Sequence, residues 1–589
     1  RVGTFEDIYS EVLRAAGLVI TRLADPVQVR LLRTLVEAMP LTYYAPLRTA
    51  PGFVQVLRDL IGEFKSGGVF PEHLTDAVVA MGRPPRLMEL ARLYTAYQER
   101  LQAERWGDYA GIGWLAAEAL DDLPAIARWA CVLVDGFDDL TTVQLRVLAE
   151  LARRVARLVV TLTGTVDGAE RTLVHKRFIR TRAELERTLG VAAEALPTGV
   201  GAPALTAPAP ALRHLERSLY AEDAGRVSAD GAVALVAAPD REGEVRAALR
   251  WLKRHIVVDG LRPDDVALLA RNLGPYRAFI AQTAEEFGVP VQLVDGLPLR
   301  SNPVIAALLD LLRLADPAGD AGGLYLAWRQ TVDAWRSPYL DWPHARVSAG
   351  SEATVGIAPS DAETLDRVAR WGSVIGGLDQ WEETLALLCA RTDAGDDRDE
   401  ELPPVPDVLP IGTQAEALRE TFRRFVGRIT PPRGEHTCRA FVAWLEALIG
   451  DVDLDPDEGT LGTDLGIARQ VRAGPRGLAQ RDEAALNALK DVLRGLVWAE
   501  EAVGCAPRSF SDFLADLAGA IDATTYRTPL AADEPAVLVA DVIQARGVAF
   551  RAVAVLGLAE GEFPATVSED PFLNDADRSM LREQHELAV

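Results

Sequence analysis

Three carboxylates stand close together in the stretch CVLVDGFDDLTTVQL, residues 131–145: Asp135, Asp138 and Asp139. Asp135 closes an apolar run, Cys131-Val132-Leu133-Val134, that reads as a buried strand. An acid there can meet a metal–phosphate complex at a sheet edge, and a second acid just after it would activate water. The next residue is Gly136, so the strand keeps an acid for a metal and lacks the base. The phosphate cradle is absent from the chain as well. A P-loop needs Gly-Lys-Ser/Thr, whereas Lys65, Lys176, Lys253 and Lys490 follow Phe64, His175, Leu252 and Leu489.

A second candidate is a basic stretch, RTLVHKRFIRTRAELER, residues 171–187. It holds Arg171, Lys176, Arg177, Arg180, Arg182 and Arg187 against Glu184 and Glu186, while the whole chain carries a net charge of −24. Nucleic acid is repelled by that average, so binding must use local basic surface. Lysine and arginine together number 62, of which four are lysine. Arginine suits phosphate forks and base stacking, but most of the bias is read as genome composition.

Two metal-like patterns fail on spacing. Asp451 to Glu458 alternates aspartates like a calcium loop, but Pro456 takes the glycine position and the loop would end on Gly462, so it reads as a solvated loop. His436 and Cys438 have no partners at ligand spacing, so no zinc site is expected. Cys131, Cys389, Cys438 and Cys505 form no CxxC pair, which argues against a disulfide framework or a metal cluster. No apolar run reaches the ~18 residues of a membrane span, and no signal peptide is visible. The expected setting is reduced and cytoplasmic.

The elements that must position these residues are α/β. Residues 1–3 read as the tail of a strand, and 4–16 as a helix capped by Thr4 with Asp7. Residues 53–128 read as mostly helix. Strands at 131–134 and 158–162 flank a helix at 141–154, a βαβ unit. After a Pro/Ala/Gly linker at 196–211 come strands at 233–238, 266–270 and 291–294 with helices at 241–255 and 275–287. A mainly helical block follows, and strands return at 537–541 and 552–556. Those late strands need a sheet to join, so the helical block is read as an insertion.

The stretch VLVADVIQARGVAFRAVAVLGLAEGEFP, residues 537–564, is similar without gaps to the motif V region of UvrD/Rep-like superfamily 1 helicases. Ala545, Arg546 (for Lys), Gly547, Phe550, Gly557, Glu560, Gly561, Phe563 and Pro564 match, while Asp541, Ile543 and Ala549 depart from Thr, His and Glu. With that anchor, VDGFDDL resembles a degraded motif II, in which Gly136 and Asp138 replace glutamate and glutamine. LVVTLTG falls at motif III without its acid and amide, VALLARNLGPYR resembles motif IV through Arg271 and Arg277, and GTFED resembles the end of motif Ia. The combination resembles the AddB/RexB family, one half of the two-subunit ATP-dependent helicase–nucleases.

The resemblance implies two RecA-like lobes. The first is 1–50 with 125–205, incomplete at its N-terminus, and carries the insertion 51–124. The second is 206–300 with 534–589, incomplete at its C-terminus, and carries the insertion 301–533. Walker A would precede Arg1, and motif VI and a PD-(D/E)XK nuclease would follow Val589, so the chain is expected to be a piece of a longer protein. ATP with Mg²⁺, and an iron–sulfur cluster in the nuclease, would belong to that longer protein, with no cofactor in this piece. The implied function is DNA end resection in recombinational repair, alongside an AddA-like subunit and without a membrane. Vestigial nucleotide contacts would be Asp135, Arg277, Arg546 and Gly547. DNA contacts would be Thr4, Phe5, Lys176, Arg177 and Arg180. No catalytic residue is assigned, and neither ATPase nor nuclease activity is expected of these residues. An active superfamily 1 helicase and a scaffold unrelated to nucleic acid are the alternatives.

Overall fold

The structure is a computed structural model and describes residues 2–23, 25–48, 50–122, 129–162, 172–195, 209–221, 224–229, 231–318, 323–343, 346–347, 358–391, 405–450, 463–504, 506–528, 534–565 and 570–588. The acidic stretch 451–458, most of the linker 196–211 and Arg171 lie outside them. The chain is mixed α/β, mostly helical, with small parallel sheets. It divides into two compact units, Arg1–Val291 with Ala536–Val589, and Gln292–Pro535.

Among the described residues six strands are three residues or longer: β1 (Cys131–Val134), β2 (Arg157–Val160), β3 (Val266–Ala270), β4 (Val291–Leu293), β5 (Val537–Asp541) and β6 (Ala552–Leu556). β1 pairs in parallel with β2, Cys131 opposite Arg157 and Val134 opposite Val160. A second sheet runs in the order β6-β3-β5-β4. Both β5 and β6 lie parallel to β3, with Leu538 opposite Ala267 and Ala552 opposite Val266. β3 has the continuous apolar sequence of a strand covered on both faces, and Val266, Ala267, Leu268 and Ala270 are buried.

The N-terminal helix Phe5–Ala15 starts where the sequence predicts. The Thr4 amide donates to Asp7 Oδ2 at 2.8 Å, the reciprocal arrangement of a capping box. Phe5, Tyr9, Val12 and Leu13 recur at helical spacing and face the core shared with the helix Tyr109–Asp122 and with β1. The second unit is built on helices, the longest being Arg476–Val503. Its core stacks Trp335 and Trp342 on Phe425, and Trp381 on Phe422, at ring separations of 4.9, 5.0 and 5.0 Å.

Three local expectations are corrected. Residues 2–4 are not a strand; they lead into the helix cap. Residues 233–238 form no ladder, and Leu235 and Val236 are 89% and 61% exposed, since a strand exists only where another strand satisfies its backbone. β1 is buried on one face alone: Val134 is covered, whereas Leu133 on the opposite face of the pleat is 67% exposed. No described helix is long and apolar enough to cross a membrane.

Candidate functional site

The acids of 135–139 sit on the turn between β1 and the helix Thr142–Ala152. That helix is fixed by its own capping box, Thr141 with Gln144 at 3.2 and 2.9 Å. Phe137 points back to the core and meets the Phe5 ring edge-on at 5.1 Å. Phe5 is therefore buried, at 5% exposure, and acts as an anchor for the turn rather than an exposed ring. Gly136 has φ +84, in the left-handed region that favours glycine, with open space around the position of a Cβ. A glutamate there would meet room for its side chain and strain in its backbone.

Asp135 is exposed and accepts a hydrogen bond from Thr161, just beyond β2. Asp138 points elsewhere, to an ion pair with Arg546 on the turn after β5. That turn is shaped by Asp541, whose Oδ1 accepts the Ile543 amide at 2.7 Å, and Gly547 ends it with φ +77. Arg546 is braced by donation from its Nε to the Ile543 carbonyl at 3.1 Å. The helix Thr172–Leu189 closes the other side. Thr181 Oγ1 donates to the Asp138 carbonyl at 3.0 Å, Arg177 binds Asp139 at 2.8 Å and lies 3.7 Å from Asp138, and Arg180 reaches Asp139 at 3.3 Å. Burial alone raises the Asp138 carboxyl, but the Arg546 hydrogen bond and the Arg177 charge outweigh it, leaving the group below its ordinary value.

The motif II-like, motif V-like and basic segments are thus brought into one cluster. Asp138, Asp139, Arg177, Arg180 and Arg546 satisfy one another. Lys176 is exposed, and no carboxylate pairs with it among the described residues. Thr4 is spent on its helix cap.

Sequence reasoning missed a second network at the carboxyl ends of β3 and β6, where parallel α/β sheets place their ligand crevices. Tyr276 Oη donates toward Glu562 Oε2 and Glu244 Oε2, each at 3.0 Å. Glu562 pairs with Arg241 at 2.6 Å, and the Gly557 amide donates to Glu244 Oε1 at 2.7 Å. Burial and the two carboxylates push the Tyr276 phenol above its ordinary value. Gly557 has φ +73, and a Cβ on it would come within 3.1 Å of the Tyr276 hydroxyl. Arg271 binds Asp541 at 3.3 Å beside a cavity of about 160 Å³. Its adjacency to the strand end was legible from the motif, but the acids that meet it lie far along the chain. Arg277, which starts the helix Arg277–Phe287, is not among the residues lining this cavity.

The residues present do not fit an ATP·Mg²⁺ complex: Asp135 offers one carboxylate, Gly136 none, and Arg546 is occupied by Asp138. An iron–sulfur cluster fares no better, because Cys131, Cys389 and Cys438 are separate free thiols. His436 and Cys438 do not converge; the His436 ring meets the Arg433 carbonyl, and Cys438 starts a buried helix.

Comparison with known proteins agrees with the motif reading. Residues 4–216 match the family model described as ADDB, N-terminal. Across 96% of its length the chain is 27% identical to the AddB-type component of an ATP-dependent helicase/deoxyribonuclease from Moorella thermoacetica, of which it covers 48%. A protein of the same name from Symbiobacterium thermophilum is 23% identical over 97% of the chain and 48% of its own length. One from Desulforudis audaxviator is 31% identical over 45% of the chain and 23% of its own length. The chain spans about half the length, or less, of these curated relatives.

Proposed function

We propose that this chain, AddB-like along nearly its whole length, is the helicase-like part of a DNA end-processing protein that binds single-stranded DNA and does not drive its unwinding. The Asp138–Arg546 pair carries the reading. In a motor of this type the motif II and motif V side chains close on nucleotide; here they close on each other, and Gly136 has removed the base. The lobes are then 1–50 with 125–205 and 206–300 with 534–589, the helical segments 51–124 and 301–533 being insertions. β5 and β6 pair with β3, as that layout requires. Asp135, Arg277, Arg546 and Gly547 are vestiges of a nucleotide site. Lys176 is the foremost DNA contact of the basic helix, with Arg177 and Arg180 held back by Asp139. The names of the relatives supply the wider setting: a helicase–deoxyribonuclease assembly acting on DNA ends in the cytoplasm, with an AddA-like partner as the motor and recombinational repair as the process.

Two assays on the purified chain test this. Fluorescence anisotropy with a labelled oligothymidylate should show binding that weakens with salt and weakens again in Lys176→Ala. ATP turnover should stay at background with or without that strand. DNA-stimulated turnover would establish an active motor instead, and no binding would leave a scaffold.

A further inference from the structure

The second unit contains a groove of a different character. Residues 325–328 lie against the loop 373–377. The Trp328 amide donates to the Ile375 carbonyl at 3.0 Å, and the Gly377 amide to the Tyr325 carbonyl at 2.7 Å. A Cβ at Gly376 would approach the Tyr325 carbonyl to 3.0 Å, so the two segments meet backbone to backbone. Gln380 Oε1 accepts the Ile375 amide at 2.9 Å and steadies the loop from behind.

Trp328 opens the helix Trp328–Arg336, and its ring is fixed by donation from Nε1 to Asp366 Oδ1 at 2.9 Å. Asp366 also holds Arg370 at 2.9 Å, so one carboxylate orients both the indole and a guanidinium. Arg370 and Arg329 lie 5.5 and 5.4 Å from the indole centroid. The groove has a volume of about 650 Å³ and has Tyr325, Gln330 and Ile375 in its lining, with no acid. Tyr325 is 51% exposed and Ile375 81%. Among the described residues no carboxylate pairs with Arg329.

We infer that this groove seats single-stranded nucleic acid, with a base against Tyr325 and Trp328 and a phosphate on Arg329. Exposed rings accept any base face, and guanidinium groups beside them neutralise the backbone. A guanidinium lying over a ring keeps its N–H edge for phosphate. In a chain of net charge −24, a groove with two arginines and no lining acid is a place that a polyanion can approach. The inference rests on the reading that the chain handles DNA, and it uses residues of the second unit alone.

The test uses the whole chain and an oligothymidylate carrying 5-iodouracil. Irradiation should cross-link residues 325–330, located by mass spectrometry of the peptides. Tyr325→Ala and Arg329→Glu should each weaken binding at least about fivefold, while Arg329→Lys keeps most of it. If the wild-type chain binds no single strand, both this inference and the proposed function fail. If it binds, Lys176→Ala weakens it, and the Tyr325 and Arg329 variants bind as wild type with cross-links elsewhere, only the groove assignment falls. A protein partner would then be its occupant.

Discussion

In the first unit Arg177, Arg180 and Arg546 close on Asp138 and Asp139. In the second, Arg329 and Arg370 lie over Trp328, and a carboxylate holds Arg370 alone. Composition cannot separate these cases, because both are arginines in an acidic chain. The nearest acid decides whether a guanidinium is a strut or a contact. In the first unit the acids descend from a phosphate-site strand and have found the arginines; in the second the one acid present serves to aim a ring.

The most severe way to break the comparison is to strip a cation of its acid where water cannot replace it. Lys65 binds Asp108 at 2.7 Å with side chains 0% and 4% exposed, and Tyr97 donates to the same carboxylate at 2.9 Å. Burial pulls the Lys65 ammonium below its usual value despite that partner. Asp108→Ala should cost about 3–5 kcal/mol in urea unfolding; a loss under about 1 kcal/mol would mean that desolvation does not govern these pairs.

A smaller effect is expected from adding an acid. Gly136→Glu restores the residue type of an active motif at a position with φ +84. The backbone strain should lower stability by about 1–2 kcal/mol, with ATP turnover still at background. Turnover gained by this single change would show the site to be less degraded than its geometry implies.

Smaller still is the acid response. The Asp138 carboxyl is depressed in the folded chain. Its contribution is therefore present above the unfolded value near pH ~3.9 and lost as pH falls through the lower folded value. Asp138→Asn should remove that part of the acid-side loss, a few tenths to about 1 kcal/mol for so exposed a partner as Arg546. Identical urea midpoints across acid pH in both proteins would refute the pairing.

Much of the fold was legible because its signals are local. The runs at 131–134, 266–270, 537–541 and 552–556 are apolar and bounded by turn residues, and each is a strand with those bounds. The helix cap at Thr4 needs only Asp7, three residues on. What failed was non-local. VALVAA at 233–238 has strand composition and lacks a ladder partner, which composition cannot supply. The basic count over 171–187 was correct, but Asp139, 38 and 41 residues away from Arg177 and Arg180, had already neutralised them. Phe5 was read as an exposed ring because Phe137, which covers it, is distant in sequence. The Trp328 groove was invisible for the same reason, its second arginine and its orienting acid lying on another helix.

The claim that neighbouring acids decide which arginines can meet DNA is tested most directly by one comparison of slopes. Single-strand affinity is measured against salt for the wild-type chain and for Asp139→Asn. Loss of that carboxylate should release Arg177 and Arg180 toward phosphate and steepen the log–log dependence by up to about 0.7 per released arginine. An unchanged or shallower slope would contradict the account.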